Sequence, residues 1–457
     1  MKSSSRMTRA AQWRCRVAVI LVLGALTTAC SQFILANPAK PPDLAEGTRA
    51  PGLARLKDVK ITLRVGTGDS GDGLRPHHEI IARFEQDNPD IRVEVESVAG
   101  NDYYAQLMAQ VAAGNAPDIM QIGDDAVPMF VQKGALTELG PFVKGQYPLD
   151  PSIYLPGVFL PGEWRGGQYL LPKDYSPLAV YYNKRLFDQY RVAYPKDGWT
   201  WDEFLKTAQA LTHDTNGDGK PEVWGVQLPA AWTSGFEYWA ASAGGGLVSE
   251  DGKKFQGYLD SAATVEALQF YADLYNKYKV APPPADINAF AGGNTEFEGA
   301  QAAMRILGRW PQADLKARGN IDLGVVGLPV GKRRANVLFW SGFGIYSGSL
   351  YKEGAWRFLR FYAGEQGATV WKDWALPTVK SVAESSGLTK DPIEGVWLKE
   401  LGYLVPRAYV FTPYWGETAD PALRKAMEQV ILDPGANAAT LLKEAARQAQ
   451  AALDAKK

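Results

Sequence analysis

Residues 59–133 switch repeatedly between two hydrophobic periods, and this switching constrains the fold more than any other feature of the chain. Val59–Val65 alternates apolar and polar residues, as a strand with one buried face does. Pro76–Asp87 places Ile80, Ile81 and Phe84 at helical spacing, and Ile91–Val95 alternates again. Tyr104–Ala113 reads as a helix, Asp118–Ile122 as a short strand entered through Ala116-Pro117, and Val127–Lys133 as another helix. A β-α-β-α-β order argues for a mostly parallel, doubly wound sheet with helices on both faces, an α/β fold. Downstream, Leu178–Tyr182, Gln301–Leu307, Ile321–Leu328 and Val337–Tyr346 read as strands. Thr200–Leu211, Ala262–Tyr278, Glu353–Trp374 and Ala438–Ala452 read as helices, the first opening on a capping box of Thr200 and Glu203.

A chain of 457 residues is too long for one ordinary domain and suits two or three. The charges nearly balance, 49 basic against 50 acidic, but Lys2, Arg6, Arg9, Arg14 and Arg16 all fall in the first 30 residues, with no acidic residue among them. The remainder is mildly acidic, which argues against nucleic acid as a partner. That basic start runs into Val17–Ala29, a stretch of 13 residues, too short to span a bilayer, and together they read as a secretory signal peptide over residues 1–29. Leu26-Thr27-Thr28-Ala29-Cys30 resembles a bacterial lipobox, whose thiol receives a diacylglycerol, although Thr27 stands where Leu is usual. The alternative is a plain signal-peptidase cut with Cys30 incidental. Cys15 leaves with the signal, so the mature chain has no disulfide to form. Residues 30–57, with Pro38, Pro41, Pro42 and Pro51, read as an extended tether between membrane and globular body.

Several stretches imitate catalytic motifs. Gly66-Thr67-Gly68-Asp69-Ser70-Gly71 matches a dinucleotide fingerprint after a strand. Asp69 and Asp72 would repel a pyrophosphate, and the helix starts too late, near Pro76, for its amides to meet one. A ligand-facing loop is the better use of these glycines. Gly68-Asp69-Ser70-Gly71 resembles the nucleophile loop of trypsin-like proteases, but those place the general base upstream and no histidine precedes His77; His77, His78 and His213 form no zinc motif, so solvated helix-start histidines are expected. Paired carboxylates of a glycosidase cannot be selected from 50 acidic residues. Asp214-Thr-Asn216-Gly-Asp218-Gly219-Lys220-Pro-Glu222 reproduces the first nine positions of an EF-hand loop, with side-chain oxygens from Asp214, Asn216 and Asp218, a backbone carbonyl from Lys220, and Glu222 to close the shell. The twelfth position is Gly225. A structural calcium is expected and no other cofactor, the alternative being an Asx-rich surface turn.

Aromatic residues cluster beside glycine and polar residues: Trp232, Phe236, Tyr238 and Trp239; Arg309-Trp310; Phe339-Trp340 with Phe343; Trp371 with Trp374; Tyr414-Trp415. Sugars offer flat C–H faces to such rings and hydroxyl rims to polar neighbours, so the group points to a ligand cleft.

Taken in order, the lipobox, the glycine-rich loop, Phe84-Glu-Gln-Asp-Asn-Pro-Asp-Ile, Ala116-Pro-Asp-Ile-Met120, Gly134-Ala-Leu-Thr-Glu-Leu139, Leu171-Pro-Lys-Asp174, Tyr181-Tyr-Asn-Lys184, Trp199-Thr-Trp-Asp-Glu-Phe204 and Ala302-Ala-Met304 resemble the extracellular solute-binding proteins of ABC importers, the family that includes maltose-binding protein. The resemblance implies a two-lobed periplasmic-binding-protein fold, each lobe a doubly wound sheet, with a hinge crossed several times. The N-terminal lobe would hold residues 58–178 plus 338–375 and the C-terminal lobe 179–337 plus 376–457, with crossings near Asp174–Val180, at Val337–Tyr346 and near Leu376-Pro377. It also implies ligand contacts from Ser70, Asp72, Gly123, Asp124, Asp125, Asp174 and Tyr175 on one side. Trp232, Phe236, Arg309, Trp310, Tyr414 and Trp415 would face them, with Trp340 and Phe343 along the crossover. Lys173 stands where the family often has a small residue or Tyr, and Trp340 where it has a polar one. Further implications are a carbohydrate ligand, a membrane permease as partner, and a monomer held at the membrane as a periplasmic or cell-surface lipoprotein. An exported polysaccharide-cleaving enzyme and a calcium-dependent adhesin remain as alternatives.

Overall fold

The computed structural model describes residues 61–98, 102–155, 157–285 and 295–456. The expected signal peptide, Cys30 and the tether lie outside these residues. Nine strands form two sheets: β1 (Ile61–Thr67), β2 (Ile91–Ser97), β3 (Ile119–Gly123), β4 (Leu171–Ser176), β5 (Ala179–Asn183), β6 (Trp224–Gln227), β7 (Ala302–Leu307), β8 (Leu323–Val326) and β9 (Phe339–Ile345). The first sheet has the order β2-β1-β3-β9-β4 and the second β8-β5-β7-β6. Each sheet with its helices forms one lobe.

Strand direction follows one rule in both lobes. β1, β2 and β3 are parallel, and β9 runs antiparallel to both β3 and β4, pairing Phe339 with Ser176. In the second sheet β5 is antiparallel to β7 and β8, while β6 and β7 are parallel. Each sheet therefore runs toward the junction of the lobes except for the strand by which the chain enters it. The expected mostly parallel sheet is found, with β9 as its antiparallel strand, because a strand arriving from the other lobe must start at the junction. β4 and β5 are joined by Pro177 and Leu178 alone.

Asn336 staples this junction. It is fully buried; its Oδ1 accepts from Leu178 N (3.0 Å), and its Nδ2 donates to Leu178 O (2.8 Å) and to Glu400 Oε2 (2.7 Å). Three passages of the chain thus meet on one side chain. The third passage comes later than Leu376-Pro377: Val379 and Val382 pack in the first lobe's core, and Leu155 N donates to Thr378 O (2.9 Å).

Helix α1 (Arg75–Asp87) presents Ile80, Ile81 and Phe84 to Leu63, Val65 and Ile119 on one face of the first sheet. α2 (Asp102–Ala112) covers Met120 and Ile122 on the other, as alternate residues of one strand must. The second core is built by α3 (Trp201–Ala210), α4 (Thr233–Ser242) and α5 (Ala262–Asn276) against Val180, Val226 and Met304. The capping box of α3 forms, with Thr200 N donating to Glu203 Oε2 (2.7 Å).

Two element readings are corrected. The expected helix Glu353–Trp374 is two, α6 (Lys352–Ala363) and α7 (Glu365–Trp371), parted at Gly364, whose backbone is extended. The aromatic run 232–239 lies in α4, not in a loop. Every residue of α4 except Ser234 is buried, so it carries no amphipathic signature. Phe236, Tyr238 and Trp239 are core residues, each worth about 1.5–3 kcal/mol in apolar burial.

Candidate functional site

Because strands run toward the junction, the loops and ends of β1, β3, β4, β7 and β9 converge there around a cavity of about 300 Å³. Its polar floor is a chain of contacts through Lys173 on β4. The buried Lys173 ammonium lies 2.8 Å from Asp69 Oδ2 and 3.0 Å from Asp174 Oδ2, with the Trp371 ring centroid at 4.6 Å. Burial opposes the Lys173 charge, but Asp174 and Asp69 outweigh it and raise the ammonium above its ordinary value. Burial likewise opposes ionisation of Asp69, yet Lys173 and His77 hold its carboxyl well below the usual carboxylate range.

Behind this floor, His77 Nε2 lies 2.8 Å from Asp69 Oδ2 and its Nδ1 lies 3.1 Å from the Tyr362 hydroxyl. His77 is fully buried, not solvated as expected, and burial lowers its basicity against the pull of Asp69. Ser341 donates to Asp174 Oδ1 (2.6 Å), and Gln121 Nε2 donates to Ser341 Oγ (3.3 Å).

Opposite, Arg309 and Trp310 follow β7. Arg309 holds Glu394 in a buried bidentate pair, Nε to Oε2 at 2.7 Å and Nη2 to Oε1 at 3.0 Å. Trp310 is 44% exposed and meets Phe339 edge-on. Trp340 lines the wall, its indole donating to Val158 O (2.7 Å); Trp371 and Trp374 complete it.

Of the residues expected at a ligand cleft, Asp174, Tyr175, Arg309, Trp310 and Trp340 line this cavity. Trp232 stands one layer back, stacked on Phe339 at 4.8 Å. Ser70 and Asp72 lie on an exposed turn, where Asp72 pairs with Arg75 (2.9 Å). Gly123 N donates to the Tyr104 hydroxyl (2.7 Å), and Asp125 is exposed beside it. Phe236, Phe343 and Trp415 belong to the cores because their rings pack among helices and not toward the cavity. Tyr414 is half-buried immediately before α8 (Trp415–Leu432). Phe339, Trp371 and Trp374, part of the aromatic group expected at a cleft, line it too, and Asp69, Gln121, Lys173 and Ser341 join them without having been expected there. Phe339, Trp371 and Trp374 carried the aromatic signal; nothing local marks Gln121 or Ser341.

Asp124 has a different setting. It is buried at the end of β3 against the second lobe, where Arg407 Nη1 reaches its Oδ1 (3.3 Å) and the Tyr409 hydroxyl donates to Oδ2. The same guanidinium serves Glu237 (3.1 Å) and lies 4.9 Å from the Phe339 ring centroid. Burial, partly offset by Arg407, pushes the Asp124 carboxyl up to about 7.

A family model of bacterial extracellular solute-binding proteins matches residues 68–369. The chain belongs to this family. A binding protein of Brucella abortus is 25% identical over 414 residues, covering 87% of this chain and 93% of the relative. The diacetylchitobiose-binding protein of Streptomyces coelicolor is 26% identical over 214 residues, 46% of each chain. Among solved structures, an ABC substrate-binding protein of Listeria monocytogenes in complex with cycloalternan superposes with a TM-score of 0.77 at 26% identity, covering 86% of this chain and 99% of that one.

In this solute-binding protein the EF-hand-like loop lies away from the cavity. Asp214, Asp218 and Glu222 bring one carboxylate oxygen each within 4.8 Å of one another, an all-oxygen set of the kind calcium takes. Gly225, at the twelfth position, has no side chain to offer a ligand and lies within β6, where its N–H donates to Thr212 Oγ1 (3.0 Å).

Proposed function

We propose that this protein captures a carbohydrate between its two lobes and delivers it unaltered to the permease of an ABC importer. The observation that carries this reading is the cavity itself: Trp310, Phe339, Trp340, Trp371 and Trp374 surround carboxylates at a junction where two lobes meet. The sugars bound by the Listeria and Streptomyces relatives are consistent with it. An N-terminal lipid on Cys30 would hold the protein at the membrane surface outside the cell.

The hydrolase alternative is disfavoured by the floor. A glycosidase needs one protonated and one ionised carboxyl across the scissile bond. Asp69 and Asp174 instead share one ammonium, and Asp69 is held ionised. Calorimetry and small-angle scattering against a panel of mono- and oligosaccharides test the proposal. At least one sugar should bind, contract the particle and be recovered intact; no binding across the panel, or turnover of a glycan, would reject it. We extend the proposal to a structural calcium in the 214–222 loop. Chelation should lower the melting temperature by a few degrees, and Asp214→Ala should abolish that response.

A further inference from the structure

We propose that the cavity selects uncharged sugars and rejects sugar acids and sugar phosphates, and that the Asp69–Lys173–Asp174 cluster sets this selectivity. The inference rests on the carbohydrate reading above and goes further in naming the class.

Recognition of a carboxylate or phosphate needs a cation with donors left to give. Two cations line the cavity, Lys173 and Arg309. The Lys173 ammonium has a carboxylate on each of two sides and an aromatic face on a third, at the distances given above. Arg309 gives its Nε and Nη2 to Glu394, whose charge matches its own and which Lys316 also approaches from the solvent side at 3.4 Å. His77, made less basic by burial, is spent between Asp69 and Tyr362.

Of the neutral donors, the buried Tyr175 hydroxyl and Trp371 indole N–H have no partner among the described residues, and three others are committed. Trp340 Nε1 serves Val158, Ser341 serves Asp174, and Ser176 Oγ donates to Pro177 O (2.7 Å). Besides those two uncharged donors, carboxylate acceptor capacity stays open: the Asp69 and Asp174 side chains are each 27% exposed. A sugar hydroxyl brings the donor these oxygens lack. A sugar phosphate brings more negative charge to a wall whose cations are already matched, and like charges brought together across a desolvated contact cost several kcal/mol.

Lys173 decides the sign of this field. Without it two carboxylates would face each other at the floor; with an uncommitted lysine the floor would attract anions. Its place between Asp69 and Asp174 leaves one net negative charge at the floor, which accepts from hydroxyls and repels anions.

The experiment is calorimetry with matched sets: neutral gluco- and galacto-configured mono-, di- and trisaccharides beside their uronic acids and 6-phosphates. A neutral sugar should bind at least about a hundredfold more tightly than its charged partner. Asp174→Asn, which frees a Lys173 donor, should shrink that ratio at least about tenfold whatever it does to neutral affinity, with circular dichroism confirming the fold. Glu394→Gln, which frees the Arg309 fork, is the second variant and should move the ratio the same way. A sugar acid or phosphate binding as tightly as its neutral parent overturns the inference while leaving the carbohydrate reading standing. Ratios unchanged in both folded variants remove the role given to the cluster. Binding of no sugar, charged or neutral, rejects both readings together.

Discussion

At the residue scale, two tryptophans with similar neighbours in the sequence have opposite roles. Trp310 is 44% exposed at the cavity and Trp415 is buried where α8 meets Phe255. Trp310→Ala should weaken sugar binding by about 1 kcal/mol or more while the melting temperature stays nearly unchanged, since stacking contacts are worth about that. Trp415→Ala should do the reverse, costing about 3–5 kcal/mol of stability as a large core residue is lost, with affinity per folded molecule retained. Calorimetry and chemical denaturation on both variants separate the roles. Local sequence does not distinguish them: each tryptophan sits beside glycine or polar residues, and only the helix that begins at Trp415 turns that ring inward. Arg309, Trp310 and Asp174 were legible through the family resemblance and the aromatic clustering; Gln121 and Ser341 lie inside strands and join the site only through pairing in space.

At the element scale, the most consequential contact is Asn336, whose side chain satisfies both backbone groups of Leu178 and one oxygen of Glu400. Asn336→Ala leaves these buried groups unpaired, each worth about 1–3 kcal/mol. The variant should therefore lose several kcal/mol in denaturant unfolding, and its scattering profile should vary more with temperature than that of the unaltered protein. An unchanged midpoint would show that water replaces the amide without loss. Elements with a mixed face, such as α1 and α3, were readable from their period. α4 was not, because a helix buried nearly all round has none, and the break at Gly364 was missed because apolar spacing runs through it.

At the scale of the whole molecule, Asp124 and Arg407 join the lobes across the cleft. Two carboxylates, Asp124 and Glu237, share one guanidinium, with Asp125, Tyr104 and Tyr409 adjacent. The Asp124 carboxyl lies at about 7 in this arrangement, against about 3.9 in water. A carboxyl raised in the packed state takes up a proton on packing, so its contribution is fully present below about pH 4 and fades as pH rises through 7. Apposition of the lobes should accordingly tighten as pH falls from 7.5 to 5, with a slope of up to about 1.4 kcal/mol per pH unit. Sugar affinity measured over that range should strengthen toward acid in the unaltered protein and flatten in Asp124→Asn; parallel profiles for the two would sink the assignment. The α/β class and the collinear motifs were legible in the sequence because they rest on local periods. The sense of β9 and the inter-lobe cluster were not, since both depend on where the chain returns from.

The position of β9 between β3 and β4 has a consequence for how the molecule is made. The middle of the first sheet is supplied by residues 339–345, long after its other strands have been synthesised. Until they arrive, β3 and β4 present bare edges across a gap, open to other chains. The first half of the polypeptide can therefore close only after the second half exists.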